Sequence, residues 1–164
     1  MRVAARRIAE LARDLLDAST LCAIATVSPG GKAYVNTAYF AWSPELDVVW
    51  LSDPGARHSR NVRANGSVAI AVYDSSQTWG KPDRGIQLFG TADEADDDAE
   101  AIYAGRFPEY EPEEFAAYRL YRFRPRRIKV FDERELGPAM FVSARVAARG
   151  RVVWDRTEVY RAGR

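Results

Sequence analysis

Between residues 3 and 17, Ile8, Leu11, Ala12, Leu15 and Leu16 recur at three- and four-residue intervals, with Arg6, Arg7, Glu10, Arg13 and Asp14 between them. That spacing predicts an amphipathic helix with one buried stripe. From Leu21 onward the pattern changes to short apolar runs separated by turn residues. Runs at 21–27, 33–42 and 47–51 read as strands, joined by Ser28-Pro29-Gly30-Gly31-Lys32 and Ser43-Pro44-Glu45. Strand, turn and strand at this spacing predict an antiparallel meander. Ser52-Asp53-Pro54-Gly55 interrupts it, and 56–65 reads as a short helix with Ser52 or Asp53 as N-cap and Asn65-Gly66 as its stop.

Strands follow at 67–73 and 85–91, around a polar loop at 74–83 that carries Trp79. Gly90 inside a strand pattern predicts a bulge or sharp bend. Asp93, Glu94, Asp96, Asp97, Asp98 and Glu100 suit the first turn of a helix reaching Arg106, because acidic side chains there complement the helix dipole. A further short helix is expected at 112–117. The last clear strands are 118–124 and 127–131, with Pro125 between them. Past Phe141 the pattern weakens. The whole predicts a mainly β fold with α decoration, a six- or seven-stranded antiparallel barrel. It divides into an N-terminal helix (1–18), a barrel domain (19–142) and a basic tail (143–164). That tail holds either one more strand around 151–154 or a partly disordered segment.

A length of 164 residues suits one domain with a real core. The net charge of +1 argues against a nucleic-acid partner, which would call for a basic excess. No apolar stretch is long enough to span a membrane, and the N-terminus lacks a signal-peptide core, so a soluble cytoplasmic protein is expected. A single cysteine (Cys22) and a single histidine (His58) leave no route to a multi-imidazole or thiolate zinc site within one chain. No metal is therefore expected, and the chemistry must come from carboxylates, hydroxyls and arginines, or from something bound.

The most informative stretch is Val48-Val49-Trp50-Leu51-Ser52-Asp53-Pro54-Gly55-Ala56-Arg57-His58-Ser59-Arg60-Asn61-Val62. A buried strand runs into a tight turn that opens a basic helix. Free backbone N–H groups and the dipole favour an anion at such a helix start. Arg57 adds a planar donor fork suited to phosphate, and Arg60 and Asn61 fall on the same helical face. A surface helix with solvated arginines is the plainer reading of the same segment.

From these residues the chain resembles the flavin-binding split-barrel proteins of the pyridoxamine 5′-phosphate oxidase-like family. The resemblance covers about residues 18–142. It takes in the hairpin Ala23-Ile24-Ala25-Thr26-Val27-Ser28-Pro29-Gly30-Gly31, the segment Asn65-Gly66-Ser67-Val68-Ala69-Ile70, Gln87-Leu88-Phe89-Gly90-Thr91-Ala92, and Phe123-Arg124-Pro125-Arg126-Arg127-Ile128. No one motif decides it; their order and spacing do. The resemblance implies FMN in a cleft between the two subunits of a homodimer. Arg57 and His58 would meet the phosphate, Leu51 and Ser52 would lie near the ribityl chain and ring edge, and Asn36, Thr37 and Ala38 would hold the isoalloxazine. Gln87 would lie near the flavin, and Phe131 falls where the oxidases carry an aromatic that crosses the interface.

Two departures bear on function. His58 stands where the family usually has Lys, exchanging a fixed charge for a mostly neutral ring. The Arg-Leu-His-Asp-Arg signature that grips substrate phosphate in the oxidases is absent from residues 132–141, which argues against pyridoxamine phosphate as substrate. The expected function is an FMN-dependent oxidoreductase transferring hydride to or from a small organic molecule. F420 is the alternative cofactor, and a non-catalytic flavin- or haem-binding protein the alternative role. Trp79 is a candidate for stacking on the ring or its substrate. Cys22 reads as a buried small hydrophobe. Arg122, Arg124, Arg126 and Arg127 read as the polar face of two strands.

Overall fold

A computed structural model describes residues 1–95 and 98–160. Asp96 and Asp97 of the acidic run, and Arg161 and Arg164 of the tail, lie outside the described residues. Helix α1 (Ala5–Asp17) buries the stripe read from its spacing: Ile8, Leu11, Ala12, Leu15 and Leu16 all sit in the main core. Strands β1 (Leu21–Val27), β2 (Ala33–Trp42) and β3 (Val48–Ser52) form the meander. Helix α2 (Arg57–Ala64) follows, then β4 (Ser67–Tyr73) and β5 (Arg84–Glu94). Helix α3 (Asp98–Arg106) and a 3-10 turn (Pro112–Phe115) lead to β6 (Arg119–Asp132). A short helix α4 (Glu133–Leu136) then precedes β7 (Met140–Ala147) and β8 (Arg151–Val159).

All pairings are antiparallel, in the order β3-β2-β1-β4-β5-β6-β7-β8, and β3 also pairs with β6. Six strands thus close into a barrel, and β7 and β8 extend the sheet beyond it. Strand β6 makes this possible. One of its edges pairs with β5 along almost its whole length, while the other is shared, with 119–123 on β3 and 127–131 on β7. The pairing register shifts between Phe89 and Gly90, where Gly90 faces Pro125 and the next step pairs Phe89 with Arg127. A Cβ on Gly90 would lie 2.1 Å from the carbonyl oxygen of Arg124, so only glycine lets the strands approach this closely. Pro125 has no N–H to give the ladder, which suits a bulge and no regular sheet position. At the closing seam Trp50 and Tyr121 are register partners, both fully buried and stacked with centroids 5.7 Å apart.

The structure differs from expectation in several places. The sequence predicts two strands, 118–124 and 127–131, flanking Pro125; Arg119–Asp132 form one strand bent at a bulge. The acidic run does not open the helix as a whole. Asp93 and Glu94 belong to β5, where Asp93 pairs with Arg124 at 2.7 Å, and α3 starts at Asp98. Cross-strand charge pairing outweighed the dipole there. The weak pattern after Phe141 conceals β7, whose Val142, Ser143 and Ala144 are buried in succession and so show no two-residue period; the register shift beside them leaves its extra residue, Asp155, on β8. The strand expected around 151–154 runs on to Val159. Neither Ser52 nor Asp53 caps α2; its N-cap is Ala56, without a side-chain bond.

Arg106, ending α3, fastens the helical excursion to the barrel. Its guanidinium donates to the carbonyls of Phe40 (3.1 Å), Leu16 (3.3 Å) and Ser19 (2.8 Å) and lies over the Phe40 ring. The Leu16 carbonyl is one of those the last turn of α1 cannot satisfy, and a cation suits that end of the helix dipole.

Gly90→Ala is expected to lower unfolding free energy by about 2–3 kcal/mol in urea denaturation through overpacking at the bulge. Gly105→Ala, in α3 with open space around its Cβ position, is expected to raise it by about 0.5–1 kcal/mol.

Candidate functional site

Strand β3 ends at Ser52 against the open end of β2, and the turn at 53–56 redirects the chain into α2. Asp53 holds that turn: its carbonyl accepts from the N–H of Ala56 (3.1 Å) and its carboxylate from the N–H of Gly55 (2.7 Å). From the far end of α2, Arg63 donates to the Pro54 carbonyl (2.7 Å) and to the Tyr121 hydroxyl (3.0 Å), tying the turn to the seam. The first turn of α2 is uncapped and holds no acidic residue. Its backbone donors remain available to an anion.

A cavity of about 600 Å³ opens beside this turn. That volume falls in the range typical of small-molecule sites, roughly 300–1,000 Å³. One wall is Asn36, Thr37 and Ala38 of β2, Leu51 and Ser52 of β3, and His58 of α2. The Ser52 hydroxyl and His58 Nε2 share a hydrogen bond at 2.5 Å. Burial pushes the His58 pKa below its ordinary value, and the nearby Asp53 charge opposes that only in part. The imidazole is therefore held neutral. Asn36 Oδ1 is buried without a hydrogen-bond partner while its amide nitrogen reaches the Thr37 carbonyl at 3.5 Å. A buried acceptor left unpaired calls for a donor from outside the chain.

Arg57 stands beside this wall without lining the cavity. Its guanidinium donates to the Tyr34 hydroxyl (3.2 Å) and sits 5.1 Å from that ring's centroid, so β2 holds it in place before any ligand arrives. The helical face expected to gather Arg57, Arg60 and Asn61 does not form a donor cluster. Asn61 turns inward and donates to Thr26 Oγ1 in a buried 3.0 Å bond, while Arg60 is exposed. Gln87 lies on β5 between Ala71 and Lys129, Trp79 is 98% exposed, and Phe131 packs on Phe141. None of these three lines the cavity. Cys22 is buried, with its thiol pKa pushed up to about 12.

The opposite wall went unforeseen. Tyr103, Phe107, Tyr110, Phe115 and Tyr118, all from the connection between β5 and β6, face the strand residues across the cavity, and Glu109 stands among them. The available signal was the spacing of Tyr103, Phe107 and Tyr110, one face of a helix continued past its end. Outside the cavity, β1 and β2 present an outward apolar face. Ala25 pairs with Val35, which is 73% exposed, and Leu21 pairs with Tyr39, which is 59% exposed and also lines the cavity. Among the described residues no helix is long and apolar enough to cross a membrane, and no three His, Cys, Asp or Glu side chains gather as a metal cluster.

A sequence model of the pyridoxamine 5′-phosphate oxidase family matches residues 8–132. A pyridoxine/pyridoxamine 5′-phosphate oxidase of Rubrobacter xylanophilus is 30% identical over 84 residues, covering 51% of this chain and 36% of that protein. In that match the chain spans little more than a third of its relative's length. Among solved structures, a haem-binding protein from Mycobacterium smegmatis superposes with a TM-score of 0.69 at 18% identity, over 88% of this chain and 59% of that one. An FAD-binding protein from Mesorhizobium loti superposes with a TM-score of 0.58 at 18% identity, over 71% of this chain and 88% of that one. These two likenesses concern the fold.

The depressed His58 pKa carries a sign. As pH falls from about 6.5, the unfolded chain takes up the proton more readily than the folded one, so stability declines until the folded ring is protonated too. Denaturation between roughly pH 5 and 8 is expected to show a steeper acid-side loss in the native protein than in His58→Asn. Parallel profiles would contradict the neutral assignment of this half-buried ring.

Proposed function

The chain belongs to the pyridoxamine 5′-phosphate oxidase family, and from that premise we propose that it is an FMN-dependent oxidoreductase acting on a small organic substrate. The observation that carries this reading is the conjunction of an uncapped basic helix start with a cavity whose strand wall holds an unpaired buried acceptor. A phosphate-bearing cofactor needs the first, and a polar ring edge satisfies the second.

FMN when bound supplies hydride and single-electron chemistry. The chain's own part is binding and orientation. Arg57, steadied by Tyr34, offers a charge-assisted fork to the phosphate, with the first-turn N–H groups of α2 beside it. His58, neutral in the absence of ligand, adds one N–H donor once its Nε2 is engaged by the Ser52 hydroxyl. Phosphate beside it favours the protonated ring. Asn36 Oδ1 would accept from a ring N–H, and Leu51 would pack on the apolar part of the cofactor. A substrate other than pyridoxamine phosphate is proposed because residues 132–141 lack the basic signature that would grip a second phosphate. Haem fits less well, since the one imidazole already holds a hydroxyl through its Nε2.

The proposal includes a homodimer. The outward face of β1–β2 is apolar and continues through Thr37 and Tyr39 to the rim of the cavity, so a second copy seated there would complete the site. Gln87 and Phe131, remote from the cavity within one chain, are then candidates for contact across the interface.

Purified protein is expected to carry a yellow chromophore with the mass of FMN; a deazaflavin spectrum or a haem band would replace this reading by the corresponding one. Arg57→Ala is expected to weaken FMN binding by about 1.5–3 kcal/mol, roughly ten- to a hundredfold in dissociation constant. Val35→Glu is expected to shift the protein from dimer to monomer in light scattering and to weaken FMN binding with it. A native monomer with full FMN affinity would sink the interface.

A further inference from the structure

The aromatic wall opposite the strand residues is unexplained by phosphate or cofactor binding. From Tyr39 to Tyr118 six rings form one connected series. Tyr39 meets Phe107 at 6.1 Å, Phe107 meets Tyr103 at 4.9 Å, and Tyr103 meets Tyr110 at 5.3 Å. Phe115 then stands 5.7 Å from both Tyr110 and Tyr118. Interplanar angles alternate between tilted and near-perpendicular, from 31° at Tyr110–Phe115 to 83° at Tyr103–Tyr110. Such an arrangement presents ring faces and ring edges side by side toward the cavity.

Part of the series serves packing. Tyr103 is buried in a small second core with Ala41, Val49 and Ala99, and Phe107 and Tyr110 pack against it. The rest exceeds what packing requires. Tyr118 is 44% exposed, Phe115 is half-buried, and both line the cavity. Burial raises the pKa of Tyr103 and Tyr110, so both phenols stay protonated and neutral. Among the described residues that line the cavity, Glu109 is the charged side chain on this wall, and the Glu100 and Glu113 carboxylates act on Tyr110 from beside it, so the rim repels anions. The excursion that carries the wall is fixed rather than loose, because Arg106 ties the end of α3 to four carbonyls, those of Phe40, Leu16, Asp17 and Ser19.

We infer that the wall formed by Tyr110, Phe115 and Tyr118 is the substrate-recognition surface, and that the substrate is a planar, conjugated molecule without negative charge. Ring faces stack on such a molecule, neutral phenols offer it hydrogen bonds, and Glu109 turns away an anionic analogue of the same shape. The inference rests on the proposed flavin site in one respect: it assigns to substrate the side of the cavity that the strand wall and α2 leave free. It also disfavours a second phosphate ester, independently of the missing signature.

The test uses the full chain, first titrated with FMN and then, in both flavin-loaded and flavin-free form, with 2-naphthol and 2-naphthalenesulfonate, binding being read by ligand-observed NMR or calorimetry. The expected result is 2-naphthol binding that is clearly tighter than that of the sulfonate, and roughly two- to tenfold weaker in Tyr110→Leu and in Phe115→Leu. Leucine keeps apolar bulk while removing the ring, and unchanged melting temperatures with unchanged FMN affinity in these variants separate recognition from folding. Glu109→Gln is expected to narrow the gap between the two probes. Equal binding of both probes, or 2-naphthol affinity unmoved by both leucine variants, overturns the inference even where FMN binds. Loss of FMN binding with the probe preference intact overturns the flavin reading and leaves the wall's assignment supported.

Discussion

The bend in β6 is the constraint on which the rest of the molecule depends. A straight strand of its length would pair with one neighbour on each side and leave an open sheet. The extra residue at the Gly90 bulge turns β6, so that its second edge serves β3 first and β7 afterwards. Closure of the barrel, the stacked Trp50–Tyr121 seam and the position of Ser52 all follow from that turn. Because Ser52 ends β3 at the seam, the chain must leave the barrel there. The helix that begins next thereby brings His58 to the cavity.

Two walls of different chemistry meet around that mouth, and each is held by arginines donating to backbone carbonyls. Arg63 fixes the turn before α2 through the Pro54 carbonyl, and Arg106 fixes the aromatic excursion through Phe40, Leu16 and Ser19. Neither guanidinium has an ion-pair role in these contacts. Each satisfies main-chain acceptors that loop ends and helix ends leave open. The arginine-rich composition, with little net charge behind it, thus finds part of its use in the scaffold rather than in a basic surface.

Most of the barrel was legible along the chain because its strands are short, alternating and bounded by Pro, Gly, Asn and Asp. The bounds of β1, β2 and β4 follow from that punctuation alone. The legibility failed where pairing outweighed local preference. Asp93 and Glu94 carry a helix-start signature, yet the arginines of β6 drew them into a strand. Pro125 looks like a terminator, yet at a bulge its missing N–H costs the ladder nothing. Strand β7 buries Val142, Ser143 and Ala144 in succession, so no two-residue period could reveal it.

For the site, the residue types and spacing around Arg57 were enough to mark a basic helix start, which is uncapped and lies beside the cavity, and the ordered motifs were enough to indicate the family. These are local properties: a turn, a helix beginning and a run of alternating positions lie within a few residues of one another. What only the tertiary structure decided is what faces them. It turned Asn61 inward to Thr26, paired His58 with Ser52, and set Tyr110, Phe115 and Tyr118 across from Asn36. Residues some seventy positions apart along the chain share one cavity because the barrel closes and Arg106 draws the excursion back over it, and no spacing in the sequence encodes that distance.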